Sequence, residues 1–330
     1  EFQLSTPNLG RGVDTQPGAR GLFAGGYQPG AYQNDIDYIN IASTGNTQDF
    51  GTLNNAVTAG GGVGSRTRAL FAGGYIASGG SPTPNSLAQI DTVVFASTGN
   101  ASDFGDMALN HFRRGSAGNA TRGLFAGGGN PNVTDPQIDY VTIATTGAAK
   151  DFGDLTQMRA RFAGAGSPVR GVFAGGFTGP SPTIVYQDTI DHVTTASLGD
   201  ASDFGNLTQG KSWTAVCSNP TRMLIGGGVI APNGNTAVSE MEYVTISTTG
   251  NAVMFGDLNF VVDTGHYAGS AVASSTRGVF NAGLFLNPSA TYVNTIYYVE
   301  ISTQGKAVDF GDLDGKRYGV QTASNGHGGL

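Results

Sequence analysis

Carboxylates, arginines and histidines are the side chains through which this chain could perform acid–base, metal or anion chemistry. Aspartate recurs at one place in four successive segments, as Asp37, Asp91, Asp139 and Asp191. Glycoside hydrolysis needs one unique carboxylate pair, about 5 to 9.5 Å apart in a cleft. Carboxylates that recur are instead typical of turns, where aspartate hydrogen-bonds its own backbone. We therefore predict structural roles for them; a calcium ion in one turn stays open, although no spacing resembles an EF-hand loop.

The histidines and the cysteine do not form a recognisable catalytic or metal-binding set. None of the histidines recurs in register, and no two are close in sequence: His111, His192, His266 and His327. The single cysteine, Cys217, excludes an internal disulfide framework and a cysteine-based zinc site, so we expect a buried structural thiol. A Ser-His-Asp triad stays open, but no G-x-S-x-G motif or phosphate-binding loop is present. We expect no cofactor, no metal and no catalysis.

The charge of the chain restricts its partners. The formal net charge is −7, and only 12% of the residues are charged. Binding to a phosphate backbone requires a concentrated basic face, and adhesion to an anionic membrane requires a basic patch. No apolar run approaches the ~20 residues that span a bilayer. We expect neither nucleic-acid binding nor membrane insertion.

Three repeated phrases identify the elements that position these side chains. The first is typified by RGLFAGG, and its copies begin 48 to 55 residues apart at Arg20, Arg68, Arg122, Arg170, Arg222 and Arg277. The second is typified by IDYVTIATTG and begins at Ile36, Ile90, Ile138, Ile190, Met241 and Ile296. The third, DFG[DNT][LM], begins at Asp49, Asp103, Asp151, Asp203 and Asp309, with Met254 in the aspartate position of the fifth copy. A Gly/Ala-rich stretch such as Arg161–Gly166 precedes the next first phrase.

Each repeat predicts four short strands and almost no helix. The second phrase alternates and is rich in Val, Ile, Thr and Tyr, which is typical of strands. The first phrase predicts a buried strand that ends in a tight turn. The Gly/Ala-rich stretch suits an innermost strand, because small side chains let neighbouring backbones approach closely. Phe23 and Phe71 would then fill the space between sheets. Four strands per ~50 residues predict a blade of a β-propeller.

We predict one all-β domain over residues 1–330, a six-bladed propeller with four antiparallel strands per blade. The repeats span roughly 10–53, 54–107, 108–155, 156–207, 208–258 and 259–313. Residues 314–330 form a closing strand or the start of a further repeat, while Glu1–Leu4 and Arg11 resemble the end of one. We favour closure of the ring by both ends, since closure removes exposed sheet edges. Seven blades are the alternative.

The order of these elements resembles that of kelch repeats. RFAGAG at Arg161–Gly166, GVFAGG at Gly171–Gly176, a tyrosine at 38, 140 and 243, and DFGDL follow the kelch order, with Phe in place of the usual Trp. The wording TRGLFAGG…IDYVTIATTG…DFGDL is similar to kelch-like repeats encoded by marine tailed bacteriophages, including cyanophages. This resemblance covers essentially the whole chain. It implies a structural or appendage protein located in the virion or outside the cell.

Residues that recur and residues that vary receive different interpretations. The six arginines of the first phrase suggest structural hydrogen bonds to a loop carbonyl or to a carboxylate of the DFGD turn. The segments after the first phrase vary most, and their aromatic and amide side chains suit sugar stacking or protein contact. The candidate binding residues there are Tyr27, Tyr32, Tyr75, Phe177, Tyr186, Phe285 and Tyr292. Alternatively, several of these side chains cover the edges of blades.

Three functions follow as hypotheses. The first is a non-enzymatic virion module, in a tail fibre, spike or capsid appendage, that contacts a host-surface glycan or protein or another virion protein through its loops. The second is a secreted, carbohydrate-binding, lectin-like propeller. The third is a propeller hydrolase or oxidase, which we disfavour. Assembly into a homo-oligomer stays open.

Overall fold

The computed structural model describes residues 19–76, 85–130, 133–179, 183–230, 236–258, 266–267, 269–281, 283–285 and 291–330. Glu1–Leu4 and Arg11, which the sequence assigns to the end of a repeat, lie outside these ranges. So do parts of all the variable segments except the first. The described residues form strands and turns without any helix. The prediction of an all-β chain is therefore confirmed.

Six antiparallel sheets of four strands contain most of the strand residues in the described part of the chain. In order from sheet 1 to sheet 6, the inner strands are Gln321–Ser324, Gly61–Gly64, Gly115–Gly118, Ala163–Gly166, Ala215–Ser218 and Ser270–Ala273. The second strands are Arg20–Ala24, Arg68–Ala72, Arg122–Ala126, Arg170–Ala174, Arg222–Gly226 and Arg277–Asn281. The third strands are Asp35–Asn40, Gln89–Val94, Gln137–Thr142, Thr189–Thr194, Glu240–Thr245 and Thr295–Glu300. The outer strands are Gln48–Thr52, Ser102–Asp106, Lys150–Asp154, Ser202–Asn206, Val253–Asp257 and Val308–Asp312.

Sheet 1 joins the two ends of the described chain. Its inner strand, Gln321–Ser324, pairs antiparallel with Arg20–Ala24, placing Gly21 opposite Ser324. The inner strands of successive sheets lie side by side, and the inner strand of sheet 6 lies beside that of sheet 1.

Small side chains permit this close approach of the inner strands. A Cβ atom on Gly62 would lie 2.2 Å from the carbonyl oxygen of Thr322 in the neighbouring inner strand. The hydroxyl of Ser116 donates to the Gly62 carbonyl at 2.8 Å and accepts from the Gly62 amide at 3.2 Å. Glycine and serine are thus needed where backbones of adjacent sheets nearly touch.

The core is divided into apolar clusters between neighbouring sheets. Leu22 packs in the cluster shared with sheet 2, whereas Phe23 packs in the cluster shared with sheet 6. Successive side chains of a strand point to opposite faces, so each second strand contributes to two clusters. Phe23 and Phe71 are 0% and 2% exposed, in the space between sheets that the sequence assigns to them.

The repeated arginines connect each sheet to the next one. Arg20 donates to the carbonyl of Phe95 in sheet 2 at 2.6 Å. The other acceptors are carbonyls at the same place in the following sheet: Ile143 for Arg68, Thr195 for Arg122, Ile246 for Arg170, Ile301 for Arg222 and Ile41 for Arg277. The arginine of sheet 6 therefore bonds to sheet 1. Four of the guanidinium groups also lie 4.4 to 4.9 Å from a tyrosine ring of their own third strand.

The DFG phrase makes a second kind of contact between sheets. Gly199, in the turn after the third strand of sheet 4, donates to the carbonyl of Phe152 in sheet 3 at 2.9 Å. A Cβ on Gly153 would lie 2.5 Å from the carbonyl of Gly199, so this glycine cannot be replaced without displacement. The equivalent bond between sheets 6 and 1 runs from the Gly45 amide to the Phe310 carbonyl at 2.7 Å.

The recurring carboxylates lie inside the sheets, which corrects our expectation that they belong to turns. Asp139 and Asp191 are fully buried within third strands and form ion pairs with Arg114 and Arg159 at 3.1 and 2.8 Å. Lys211 pairs with Glu242, and Arg317 with Asp37; these two cations stand at the position in their repeats that Arg159 occupies in sheet 4. Burial raises the pKa of Asp37 to about 6, although Arg317 opposes the shift. In sheet 2 the side-chain and backbone N–H groups of Asn54 bind Asp91 instead of a cation.

Candidate functional site

Short hairpins emerge from one end of the sheets, between the second and third strands. They comprise Tyr27–Gln28 with Ala31–Tyr32, Tyr75–Ile76 with Asn85–Ser86, Gly129–Asn130 with Val133–Thr134, and Phe177–Thr178 with Val185–Tyr186. Beside sheets 5 and 6, three short strands pair instead of two. Those beside sheet 5 are Lys211–Ser212, Val229–Ile230 and Thr236–Ala237, and those beside sheet 6 are His266–Tyr267, Leu284–Phe285 and Thr291–Tyr292. We call the side of the molecule formed by these hairpins, and by the segments that precede the inner strands, the hairpin face.

A continuous line of aromatic rings lies on the hairpin face. The centroids of successive rings in this line are 5.2 to 5.7 Å apart. We call the line the aromatic arc; its members, in order, are Tyr292, Tyr318, Tyr27, Tyr32, Tyr75 and Phe112. The tyrosines are half-buried, and Phe112 is buried beneath them. Edge-on and tilted aromatic contacts at this spacing are favourable. The rings therefore support one another, and they are held on strands and adjoining segments of four different sheets.

Two tyrosine hydroxyls of the arc, those of Tyr32 and Tyr292, have raised pKa values. Burial, with a smaller contribution from the hydrogen bond to Tyr75, raises the pKa of Tyr32. Burial and the proximity of Tyr27 raise the pKa of Tyr292. The Tyr27 hydroxyl accepts a hydrogen bond from the Gly30 amide at 3.1 Å. The arc thus combines apolar ring surface with hydroxyl groups that can form hydrogen bonds.

The structure separates the seven candidate binding residues into two groups. Tyr27, Tyr32, Tyr75 and Tyr292 belong to the aromatic arc. Phe177 is only 8% exposed and lies beneath the guanidinium of Arg161, and Tyr186 pairs with it in the same hairpin. Phe285 packs against the apolar cluster between sheets 5 and 6. These three side chains are not among the six rings of the arc.

A chain of backbone hydrogen bonds crosses the centre of the hairpin face, just before the inner strands. The amide of each member donates to the carbonyl of the previous sheet's member: Ala59 to Gly319 at 2.8 Å, Arg113 to Ala59 at 2.6 Å, Arg161 to Arg113 and Trp213 to Arg161 at 2.9 Å. We call these five residues the girdle. All of them have left-handed backbones, with φ between 56° and 66°. The sixth equivalent position, residue 268, lies outside the described residues.

The left-handed backbone makes large side chains unexpected at the girdle positions. An L-residue other than glycine pays roughly 1–2 kcal/mol in this region because its Cβ crowds the following carbonyl. Sheet 1 has Gly319 at this position, the residue that fits without strain. Sheets 3, 4 and 5 instead carry Arg113, Arg161 and Trp213 there. These large side chains are retained at positions where the backbone favours glycine.

The three large girdle side chains form one cluster. The guanidinium carbon of Arg161 lies 4.3 Å from the centre of the Trp213 ring, and that of Arg113 lies 5.9 Å from it. Arg113 also covers Phe112, the last ring of the aromatic arc, at 4.4 Å. Stacking on an aromatic face orients a guanidinium while its N–H edge remains able to donate. We call Arg113, Arg161 and Trp213 the guanidinium–indole cluster.

The cluster forms one wall of a cavity between the inner strands. This cavity has a volume of about 120 Å³ and is lined by residues of all six inner strands, including Gly62, Ser116, Gly164 and Thr322. Its described lining contains three arginines and no carboxylate. One of the three, Arg114, is neutralised by Asp139.

Several buried polar groups of the cavity lining have no hydrogen-bond partner among the described residues. They include the hydroxyls of Thr214 and Ser270 and the Oε1 atom of Gln321. These residues are 5%, 8% and 2% exposed. Buried polar groups are almost always hydrogen-bonded, so an unsatisfied group needs an explanation such as a ligand or a bound water. The cavity therefore offers both hydroxyl groups and an amide acceptor.

The remaining candidate residues lie apart from this cavity or beneath it. His192 packs edge-on against Phe204 inside sheet 4, and burial lowers its pKa. Cys217 is buried and unpaired, and burial raises the pKa of its thiol. His327 lies below the inner strands, with its Nε2 donating to the Gly64 carbonyl at 2.7 Å. The side chain of His266 lies outside the described part of the chain. No group of three His, Cys, Asp or Glu residues within the described ranges is arranged to hold a metal ion.

The girdle has a signal in the sequence that differs from the three repeated phrases. Arg113, Arg161 and Trp213 stand two residues before the first residue of the inner strand, where the other repeats carry alanine or glycine. Large side chains at one register of an otherwise small-residue segment distinguish three neighbouring sheets from the rest. The left-handed backbone at that register could not be read from composition.

Comparisons of the chain with protein-family models and with curated proteins return no match. In the described ranges, no helix is long and apolar enough to cross a membrane.

Proposed function

We propose that the six sheets are the blades of one closed propeller. Three observations support closure: the inner strands of sheets 6 and 1 are neighbours, Arg277 of sheet 6 bonds to Ile41 of sheet 1, and Gly45 of sheet 1 bonds to Phe310 of sheet 6. These contacts repeat those at the other sheet boundaries. Pairing of Gln321–Ser324 with Arg20–Ala24 supports six blades over seven, because the surplus inner strand completes sheet 1.

We propose that this propeller is a non-enzymatic module that binds carbohydrate on its hairpin face. The observation that carries the proposal is the aromatic arc, whose tyrosines are not present in every repeat: at the position of Tyr27 and Tyr75, sheets 3 and 5 carry Gly129 and Val229. A residue needed to build every blade recurs, as the arginines of the first phrase do. Aromatic rings with neutral hydroxyls suit sugars, since the ring packs on C–H groups while the hydroxyl forms hydrogen bonds.

The resemblance of the repeated phrases to kelch-like repeats of marine tailed bacteriophages supports a location in a virion. On that basis we propose a tail-fibre, spike or capsid-appendage module that contacts a host-surface glycan. A secreted lectin would use the same face, and detection of the chain in purified particles separates the two settings. Binding to another virion protein is the competing use of the face.

A glycan array tests the proposal with variants that remove single rings. Tyr32→Ala and Tyr75→Ala each delete a central ring of the arc. Tyr38→Ala is the matched control, because Tyr38 is also half-buried and contacts Phe50 at 5.9 Å, yet it lies in a third strand away from the arc.

We expect the wild-type chain and Tyr38→Ala to bind the same glycans. Each arc variant should bind about 5- to 10-fold more weakly, since one stacked ring contributes about 1 kcal/mol. Absence of any glycan signal from the folded wild-type chain would refute the carbohydrate proposal and leave protein contact as the use of the face.

A further inference from the structure

We call the space between the six inner strands the channel. The segment Asn325–Leu330 lies across the end of the channel that is opposite the hairpin face. We propose that this segment is a plug, which closes the channel while His327 is neutral and is released when His327 becomes protonated. The inference rests on the closed ring proposed above, and it does not depend on carbohydrate binding.

The last residues of the inner strands surround the end of the channel that the plug covers. The hairpin face is formed by the segments that precede these strands, so all six strands end on the opposite side, at Ser324, Gly64, Gly118, Gly166, Ser218 and Ala273. The plug continues directly from Ser324. The His327 Nε2 donates to the Gly64 carbonyl at 2.7 Å, and the Gly328 amide donates to the Ser218 carbonyl at 2.8 Å. One short segment therefore joins sheet 1 to sheets 2 and 5.

Two closely packed glycines hold the plug against sheets 3, 4 and 5. A Cβ atom on Gly328 would lie 2.3 Å from the Asn219 carbonyl oxygen and 2.6 Å from that of Gly166. A Cβ atom on Gly329 would lie 2.0 Å from the Gly118 carbonyl oxygen. Both glycines are buried. Because the backbones nearly touch, a larger residue at either position would have to displace the plug.

The plug covers a second cavity in the channel. This cavity has a volume of about 80 Å³ and is lined by His327 and by residues of all six inner strands. Apart from His327 and Cys217, its described lining contains no charged or titratable side chain, and burial raises the pKa of the Cys217 thiol. Arg20 bonds to Asn325 through its backbone atoms, but its guanidinium is directed at the Phe95 carbonyl of sheet 2. A positive charge on His327 would therefore face a described lining that offers no carboxylate, which is unfavourable.

The hydrogen bonds of the His327 ring fit the neutral imidazole. Its Nε2 donates to the Gly64 carbonyl, and its Nδ1 accepts from the Gly329 amide at 3.1 Å. A neutral imidazole offers one donor and one acceptor, whereas the protonated ring has two donors. Burial lowers the pKa of His327, although the bond to the Gly64 carbonyl opposes the shift. Protonation therefore breaks the bond to Gly329 within the plug, and we expect the plug to leave the end of the channel in acid.

Amide hydrogen exchange of the full chain, followed by mass spectrometry at pH 7.5 and pH 5, tests the inference. Peptides that cover 325–330 report the Gly328 amide. Peptides that cover 115–122 report the Ala120 amide, which donates to the Gly329 carbonyl at 3.1 Å. Each variant is compared with the wild type at the same pH, so that the intrinsic dependence of exchange on pH cancels.

Two variants and one control separate the plug from other effects. His327→Gln retains a donor and an acceptor but cannot be protonated. Gly329→Val should displace the plug at both pH values, because its side chain would overlap the Gly118 carbonyl. The matched control is Gly305→Val, because a Cβ atom on Gly305 meets nothing within 4 Å.

We expect the wild-type plug to lose protection in acid. A group that is neutral in the closed state and takes up a proton on release makes opening about tenfold easier for each pH unit below 6.5. The protection of residues 325–330 should therefore fall about 10- to 30-fold between pH 7.5 and pH 5. His327→Gln should remain protected at pH 5, Gly329→Val should lack protection at both pH values, and Gly305→Val should behave as the wild type.

Three results would overturn the proposal. They are equal protection of the wild-type plug at both pH values, the same loss of protection in His327→Gln, and loss of protection from all six sheets at pH 5, which would mean that the whole ring unfolds. The glycan array separates these results from the carbohydrate proposal. The aromatic arc lies at the other end of the sheets, so the wild type, His327→Gln and Gly329→Val should give the same array signal. Absence of a signal from all three would refute the carbohydrate proposal and leave the plug standing.

Discussion

Replacing Arg159 by valine is the perturbation that most severely tests our account of the sheet interior. Arg159 is fully buried and donates to Asp191 at 2.8 Å, to the Thr189 carbonyl at 2.6 Å and to the Gly175 carbonyl at 3.0 Å. Valine occupies the same position in sheet 2, as Val57. The substitution therefore introduces a side chain that the fold already accepts, but without the charge that Asp191 needs.

The expected loss is about 3–5 kcal/mol in the free energy of unfolding. Removing one partner of a buried ion pair leaves an uncompensated buried charge, and this cost dominates. After the change, Asp191 keeps only the Thr156 hydroxyl at 2.6 Å and the Thr156 amide at 3.3 Å. Three backbone carbonyls, those of Gly175, Thr189 and Phe173, also lose a charged donor. The magnitude is large compared with the typical effect of a substitution, about 1 kcal/mol.

The arrangement around Asp91 in sheet 2 suggests a variant that should recover part of the stability lost in Arg159→Val. Asp91 accepts from the Asn54 side chain at 2.7 Å and from Gln89 at 3.1 Å without any cation. The triple variant Thr156→Asn/Arg159→Val/Thr189→Gln copies this arrangement into sheet 4. It adds one hydrogen bond to the carboxylate and should recover about 1.5–3 kcal/mol, the value of a hydrogen bond to a charged group.

Guanidinium chloride unfolding, monitored by the fluorescence of the single tryptophan, measures both effects. Similar m values in the wild type and the variants would establish that stability, and not compactness, has changed. If Arg159→Val lies within about 1 kcal/mol of the wild type, our account of the buried pairs is wrong. If the triple variant recovers nothing, the comparison between sheets 2 and 4 is wrong.

Three further predictions concern closure, pH and strain. Arg277→Ala and Arg122→Ala should each cost about 1–3 kcal/mol in denaturant unfolding, because the boundary between sheets 6 and 1 is built like the others; a neutral Arg277→Ala beside a costly Arg122→Ala contradicts a closed ring. Burial lowers the pKa of His327, whose Nδ1 accepts from the Gly329 amide at 3.1 Å. The unfolded chain therefore binds a proton first, and the contribution of His327 to stability is complete above pH 6.5 and lost as pH falls below it. His327→Gln should flatten this dependence between pH 7.5 and 5, and identical pH profiles for the two proteins count against the assignment. Ala59→Gly should raise stability by about 0.5–1 kcal/mol, since glycine relieves a φ of 58°, whereas a loss of stability shows that the girdle position is unstrained.

The repeated part of this fold could be predicted from the sequence because each recurring residue has the same neighbour in every sheet. The arginine of the first phrase always meets a carbonyl of the next sheet, and the DFG glycine always meets the turn glycine of the next sheet. Because the same contact is made in all six sheets, the residues that make it recur in all six repeats. The strand order and the closing strand follow from that regularity.

The parts that could not be predicted depend on contacts between residues that do not recur. Asp139 is neutralised by Arg114, which stands one position after the girdle residue of its sheet. Asp191 is neutralised by Arg159, which stands two positions before the girdle residue of its sheet. The placement of Phe177 beneath Arg161, away from the arc, depends on the girdle conformation of sheet 4. The guanidinium–indole cluster depends on the left-handed backbone of three neighbouring sheets, and no residue spacing in the sequence predicts that conformation.

Calorimetric titration of the native chain with a glycan that it captures on the array tests the central claim most directly, because Tyr32 and Tyr75 belong to the aromatic arc whereas Tyr38 does not. Tyr32→Ala and Tyr75→Ala should each bind this glycan about 5- to 10-fold more weakly than the wild type, and Tyr38→Ala should bind it with unchanged affinity. Equal affinities of the wild type and the two arc variants would place the ligand elsewhere and contradict the account.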